Sequence, residues 1–211
     1  HAKISTGQRS TKFGISTSHN EAADLYRKMA ADPHIRPAGL AVHIGSQILE
    51  LDPFERAHSA LLSFGTALRD EGLEVPVLDL GGGISVDYQD GSPTDFTAYG
   101  DLVSRLFAGS GFQLGFEPGR SIVANNGVLL TRVIYVKDGD NKRFAIVDAA
   151  MNDLLRPTLY EAHHDIRPVG PEGEIEGPAD IVGPVCETGD YLGLDGMMPS
   201  LAAGDCLAVM S

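Results

Sequence analysis

Between residues 39 and 116 three short apolar runs alternate with two amphipathic segments, and this alternation restricts the fold more than any other feature of the chain. The runs are GLAVHI at 39–44, VPVLDL at 75–80 and FQLGF at 112–116. After the first run, Asp52, Pro53 and Glu55 form a helix start: an N-cap, a first-turn proline and an acid at the positive dipole end. Phe54, Ala57, Leu61, Leu62 and Leu68 supply its apolar face, and Gly72 ends it. After the second run, Thr94 opens a helix whose face is Phe96, Tyr99, Leu102, Val103, Leu106 and Phe107. An earlier helix is predicted from a Ser18–Glu21 capping box, with Leu25, Tyr26 and Met29 at helical spacing and Asp32-Pro33 as its stop.

Apolar strands separated by helices form a parallel sheet covered by helices. Charged and glycine-rich motifs follow the strands, as they do on the C-terminal face of a (β/α)8 barrel, where active sites are built. The stretch supplies about half of eight units, with KFGI at 12–15 as a further strand. After about residue 124 the pattern changes. NGVLLTRVIYV (126–136) and KRFAIVDAAM (142–151) are strand-like, and DGDN at 138–141 between them has hairpin-turn composition. PEGEIEGPAD (171–180) is expected to be a solvated acidic loop, and IVGPVC (181–186) and DCLAVM (205–210) to be strands. The expected fold class is α/β: residues 1–124 as the C-terminal half of a (β/α)8 TIM barrel, and residues 125–211 as part of an antiparallel β-barrel or sandwich domain. The first residue is His1 and the last run is strand-like, so a piece of a longer protein is expected.

The formal net charge of −13 argues against nucleic acid, which requires a basic surface. No apolar run approaches the roughly 20 residues of a membrane helix. Cys186 and Cys206 are too few for a disulfide framework, which makes a reducing cytoplasm the expected setting.

Five groups of residues carry chemistry. Glu117-Pro-Gly-Arg120 follows an apolar run: a carboxylate suits a pyridine nitrogen and a guanidinium suits phosphate or carboxylate, although the two could simply pair. Gly81, Gly82 and Gly83 allow a sharp turn and can bring N–H groups to an anion, or form a tight turn with no ligand. His43 ends its run, beside Gly45 and Ser46; its imidazole could stack on an aromatic cofactor or be a satisfied core residue. Cys186, next to Glu187 and Asp190, is a small buried hydrophobe or a proton donor. Arg156 and Tyr160 lie four apart, on a helix surface or gripping a carboxylate. His163-His164 lacks other ligands at metal spacing and is expected in a solvated loop, and Cys206 in a core strand.

ISTG (4–7), KFGI, HIGSQ (43–47), LDLGGG (78–83), FEPGR (116–120), AAMNDLLRPTLYEA (149–162) and GPVCETGD (183–190) together resemble the diaminopimelate decarboxylases, in the alanine-racemase-like (fold-type III) class of pyridoxal 5'-phosphate (PLP) enzymes. The resemblance implies that His43 stacks on the PLP ring and that Ser46, Gly81, Gly82, Gly83 and Gly119 line the phosphate. It implies Glu117 on the pyridine nitrogen, and Arg120, Arg156 and Tyr160 on substrate carboxylates. Cys186 would donate a proton across a homodimer interface, and Glu187 would help recognise the substrate's distal centre. The reaction would convert meso-diaminopimelate to L-lysine and carbon dioxide, the last step of bacterial lysine synthesis. No metal is implied. Related ornithine, arginine or carboxynorspermidine decarboxylases and a non-catalytic PLP-binding relative are the alternatives. Thr188 stands where the family usually has serine. None of Lys3, Lys12, Lys28, Lys137 and Lys142 lies in the context of the family's cofactor-bound lysine, so these 211 residues alone are expected to be inactive and prone to aggregation.

Overall fold

The computed structural model describes residues 12–88, 93–140, 142–171 and 173–211. The chain forms two compact units, His1–Val86 with Ser92–Ile122, and Asp87–Gly91 with Val123–Ser211. The ISTG stretch at 4–7 lies outside the described residues.

In the first unit, β1 (Gly39–Ala41), β2 (Val77–Asp79) and β3 (Gln113–Gly115) pair in parallel in that order, as strands joined by helices must. The helices are α1 (Glu21–Ala31), α2 (Asp52–Asp70) and α3 (Phe96–Phe107). Phe54, His58, Leu61, Gly65 and Leu68 are the buried stripe of α2, spaced four and three apart. They pack with Leu78, Leu80, Tyr99, Leu102, Val103 and Phe107. Full burial of an aromatic such as Phe54 contributes about 2–3 kcal/mol from its area alone. A Cβ on Gly65 would lie 3.0 Å from Leu78, so this glycine sets how closely α2 approaches the central strand.

Several helix starts differ from the sequence reading. Ser18 does not cap α1; Asn20 precedes the helix with φ +64 and makes no side-chain cap bond, because a turn over Ser18–Asn20 redirects the chain. Asp52 is helical rather than capping and instead pairs with Arg56 one turn on. Asp95, not Thr94, caps α3 and accepts from the N–H groups of Thr97 and Ala98. Thr94 is buried, donating to the carbonyl of Ile48 at 2.7 Å and bonding the Ser85 hydroxyl at 2.6 Å. Phe96 is exposed rather than core, because it lies on the outer side of the first turn. KFGI at 12–15 forms bends and no strand, with Phe13 and Ile15 exposed.

The second unit holds a six-stranded sheet. Its strands are β4 (Leu129–Asp138), β5 (Arg143–Val147), β6 (Ile166–Pro168), β7 (Ile175–Val182), β8 (Tyr191–Pro199) and β9 (Cys206–Val209), in the order β6-β9-β4-β5-β7-β8. β4 pairs with β9 along its first half and β5 along its second, with a register shift at Val133–Tyr135 that bends it. Ile166 on β6 packs against Gly193 on β8, so the two outer strands curl toward each other into a nearly closed barrel. Val133, Ala145, Val147, Ile181, Leu192 and Leu207 fill it. The pairing is antiparallel except for β5 with β7, which run parallel. Between β4 and β5 the Gly139 N–H donates to the Lys142 carbonyl.

The acidic 171–180 stretch is not a loop throughout, because β7 begins at Ile175. Glu176 pairs with Arg143 across the sheet, and Asp180, 4% exposed, pairs with Lys142 at 2.8 Å and accepts from the Asp195 N–H at 2.8 Å. Carboxylates so satisfied are compatible with a strand. β8 is a strand without a sequence signal, since it contains Gly193, Gly196 and Asp195 at φ +53. Among the described residues no helix is long and apolar enough to cross a membrane.

Candidate active site

The predicted residues fall into two sets, one in each unit. In the first unit, the loops following β1, β2 and β3 meet at the glycine turn. Gly81 and Gly83 adopt φ +69 and φ +101. A Cβ on Gly81 would stand 2.2 Å from the Val42 carbonyl oxygen, on Gly82 2.3 Å from that of Glu117, and on Gly83 2.4 Å from that of Gly45. Glycine is therefore required at all three positions by backbone on either side, and the tight-turn reading is correct as far as it goes. The consequence is proximity of the three loops. The Glu117 N–H donates to the Gly81 carbonyl at 2.8 Å, and the Ile48 N–H to that of Gly83 at 3.0 Å.

His43 is exposed at the end of its run, not buried in the core. Its Nδ1 accepts from the Gly82 N–H at 3.4 Å, which leaves Nε2 as the N–H bearing nitrogen when the ring is neutral. The Gly81 N–H donates to Asp79 Oδ1 at 2.8 Å. Two of the three glycine N–H groups thus have protein acceptors. Among the described residues, the Ser46 hydroxyl has no protein partner, and nothing lies within 4 Å of a Cβ built on Gly119. Glu117 is exposed and Arg120 half-buried at the start of α4 (Arg120–Val123).

Gln47 was not singled out within HIGSQ, yet it links the set. It adopts φ +60; its Nε2 donates to the Val86 carbonyl at 2.6 Å, and its Oε1 accepts from Arg120 Nη1 at 3.4 Å. The available signal was an amide, which donates and accepts at once, next to a turn glycine.

In the second unit, α5 (Arg156–Tyr160) carries Arg156 and Tyr160. Thr158 Oγ1 donates to the Gly189 carbonyl at 2.5 Å, and the Tyr191 hydroxyl to that of Pro157 at 3.1 Å, fixing α5 to the turn that bears Cys186 and Glu187. Buried Asp190 accepts from the N–H groups of Met151 at 2.6 Å and Val185 at 2.7 Å and so shapes the same turn. Cys186 is exposed, which rules out a buried hydrophobe, and Glu187 is exposed beside it. Cys206 is half-buried on β9.

His164 does not lie in a solvated loop: it is 8% exposed. Its Nε2 meets Arg156 Nη1 at 2.8 Å and its Nδ1 meets the Met210 carbonyl at 2.7 Å. Burial, and secondarily the charges of Arg156 and His163, push its pKa below the ordinary value, with the Met210 carbonyl opposing. The Tyr88 ring lies 4.4 Å from the Arg156 guanidinium carbon. Among the described residues, no group of three His, Cys, Asp or Glu side chains could hold a metal ion.

A glycine turn that accepts no side chain, a spare hydroxyl, open space at Gly119 and an arginine nearby fit an anionic group such as the phosphate of PLP. Residues 18–211 match the family model of the pyridoxal-dependent decarboxylase C-terminal sheet domain. The chain is 47% identical over its whole length to a diaminopimelate decarboxylase of Zymomonas mobilis, of which it covers 50%. A crystal structure of diaminopimelate decarboxylase from Helicobacter pylori complexed with L-lysine is 40% identical, with a TM-score of 0.92 over 100% of this chain and 52% of that one. SrLDC in complex with PLP and cadaverine is 28% identical, with a TM-score of 0.82 over 97% and 53% of the two chains. The chain thus spans about half the length of the curated relatives it matches. These likenesses identify the parallel sheet as part of a (β/α)8 barrel and the larger sheet as part of a β-barrel domain.

Proposed function

The chain belongs to the pyridoxal-dependent decarboxylase family, and on that premise we propose that it forms part of a diaminopimelate decarboxylase converting meso-2,6-diaminopimelate to L-lysine and carbon dioxide. The supporting observation is the fixed joint between α5 and the 183–190 turn, where Thr158 bonds Gly189. It brings a cation and a phenol, Arg156 and Tyr160, onto elements tied to Cys186 and Glu187. Exchanged between two subunits, such residues suit a substrate with a second carboxylate and a second amine, groups that a diamine-forming decarboxylase does not have to recognise.

Bound PLP supplies a protonated pyridine ring that withdraws the electron pair left when carbon dioxide departs. Glu117 would hold the pyridine proton and His43 would lie against the ring. Ser46, Gly81, Gly82, Gly83 and Gly119 line the phosphate, with Ser46 contributing its hydroxyl and the glycines contributing room as much as donors. Arg120, Arg156 and Tyr160 bind carboxylates, and Glu187 the far end of the substrate. With PLP bound, the carbon–carbon bond to the departing carbon dioxide would break, and Cys186 Sγ would supply the proton for the new carbon–hydrogen bond. Cys186 acts in the partner's site of a homodimer. The working protein is cytoplasmic, with residues 1–124 in the PLP-binding barrel and residues 125–211 in the β domain.

Carbon dioxide release by the protein of the complete reading frame, with PLP, tests this. Release from meso-diaminopimelate, with L-ornithine, L-arginine and L-lysine at least a hundredfold poorer in kcat/KM, is the expected result. Preference for one of the latter three moves the assignment to a sister decarboxylase. Cofactor binding without turnover makes the chain part of a non-catalytic relative.

A further inference from the structure

We propose that His164 and Tyr88 form a cradle that holds Arg156 for the carboxylate retained on the product, which makes both of them positioning residues for substrate selection. The inference rests on the reading of Arg156 as a carboxylate ligand. A guanidinium only donates, so His164 Nε2 must be the acceptor of the 2.8 Å contact. Nδ1 then carries the proton and donates to the Met210 carbonyl at 2.7 Å. One backbone carbonyl thus fixes the tautomer that fixes the arginine. Tyr88 presents its ring to the guanidinium at 4.4 Å and packs edge-on against His164, ring centroids 5.6 Å apart.

A free arginine side chain loses rotamer entropy when it grips a ligand. Here that cost is met in folding, so the fork is already oriented when the ligand arrives. Chemistry decides which carboxylate it serves. A carboxylate about to leave as carbon dioxide is stabilised, and so held back, by a fixed cation, whereas one that stays is not consumed. The arginine therefore belongs with the carboxylate that L-lysine still carries.

The test uses full-length holoenzyme as wild type, His164→Ala, Tyr88→Leu and Tyr88→Phe, with inhibition by L-lysine and by cadaverine, which lacks the carboxylate. Expected for His164→Ala and Tyr88→Leu is an inhibition constant for L-lysine at least tenfold higher, with that for cadaverine within twofold. KM for meso-diaminopimelate rises at least tenfold while kcat stays within threefold, and Tyr88→Phe, which keeps the ring, is silent. Equal weakening of both inhibitors means a merely structural role, and no change in either removes the cradle; both outcomes overturn the proposal. If His164→Ala fails to fold, Tyr88→Leu alone decides by the same ratio. Wild-type protein that does not turn over meso-diaminopimelate fails the functional reading instead, a result distinct from an unchanged inhibitor ratio in a working enzyme.

Discussion

A Cβ on Gly82 would stand 2.3 Å from the carbonyl oxygen of Glu117, a contact with backbone that no side-chain rotation relieves. Gly82→Ala must therefore separate the loops after β2 and β3. It is expected to cost more than about 2 kcal/mol and to weaken PLP binding. Gly119→Ala meets open space and is expected to leave stability within about 0.5 kcal/mol while weakening PLP at least tenfold. Urea unfolding and PLP titration of the full-length variants check both. Equal stability of the two variants contradicts the packing argument.

Asp190 accepts two N–H groups, from Met151 and Val185, with its carboxylate buried. Asp190→Ala leaves both without their acceptor and releases the turn carrying Cys186 and Glu187. Charge-assisted bonds of this kind place the loss at about 2 kcal/mol. The same variant is expected to lower kcat/KM for meso-diaminopimelate at least tenfold. Denaturation and steady-state kinetics on one preparation read the two effects together.

The barrel portion was legible because its signals are local. Helical spacing in α2 and α3, and apolar runs ending in glycine or charge, need no long-range information. The β domain was half legible. β7 carries Glu176 and Asp180, whose charges read as solvated until Arg143 and Lys142 are seen opposite them across the sheet. β8 contains Gly193 and Gly196, which blur its strand pattern, and Gly193 leaves the room that Ile166 fills. Among site residues, the motif glycines were visible and Gln47 was not, since its partners Val86 and Arg120 lie 39 and 73 residues away. His164 was misplaced because its partners, Arg156 and the Met210 carbonyl, are set by the fold rather than by spacing.

Burial lowers the pKa of both His58 and His164, so the native state favours their neutral forms. Below the ordinary histidine value of about 6.5 the unfolded chain binds protons that the native chain refuses. Stability present above that pH is therefore lost as pH falls, by up to about 1.4 kcal/mol per pH unit for each histidine. Urea midpoints are expected to drop between pH 7 and pH 5, and His58→Leu to flatten the drop. A midpoint independent of pH over that interval contradicts this.

Leu130 and Ile134 are exposed on β4, as are Phe13, Ile15 and Phe116 in the first unit, where β1 and β3 have no further strand partner among the described residues. These 211 residues in isolation are expected to self-associate and to form no L-lysine. Light scattering and a lysine assay with added PLP decide. A monodisperse monomer with turnover refutes the expectation.

Glu117 belongs to the first unit and Arg156 to the second, and turnover is expected to depend on each of them. The measurement to make is kcat/KM for meso-diaminopimelate in full-length holoenzyme, wild type beside Glu117→Ala and Arg156→Ala. A loss of at least a hundredfold in each variant, with PLP still bound, is the expected result. Near-wild-type turnover in either variant would show that its residue plays no part in the reaction and would contradict the proposed function.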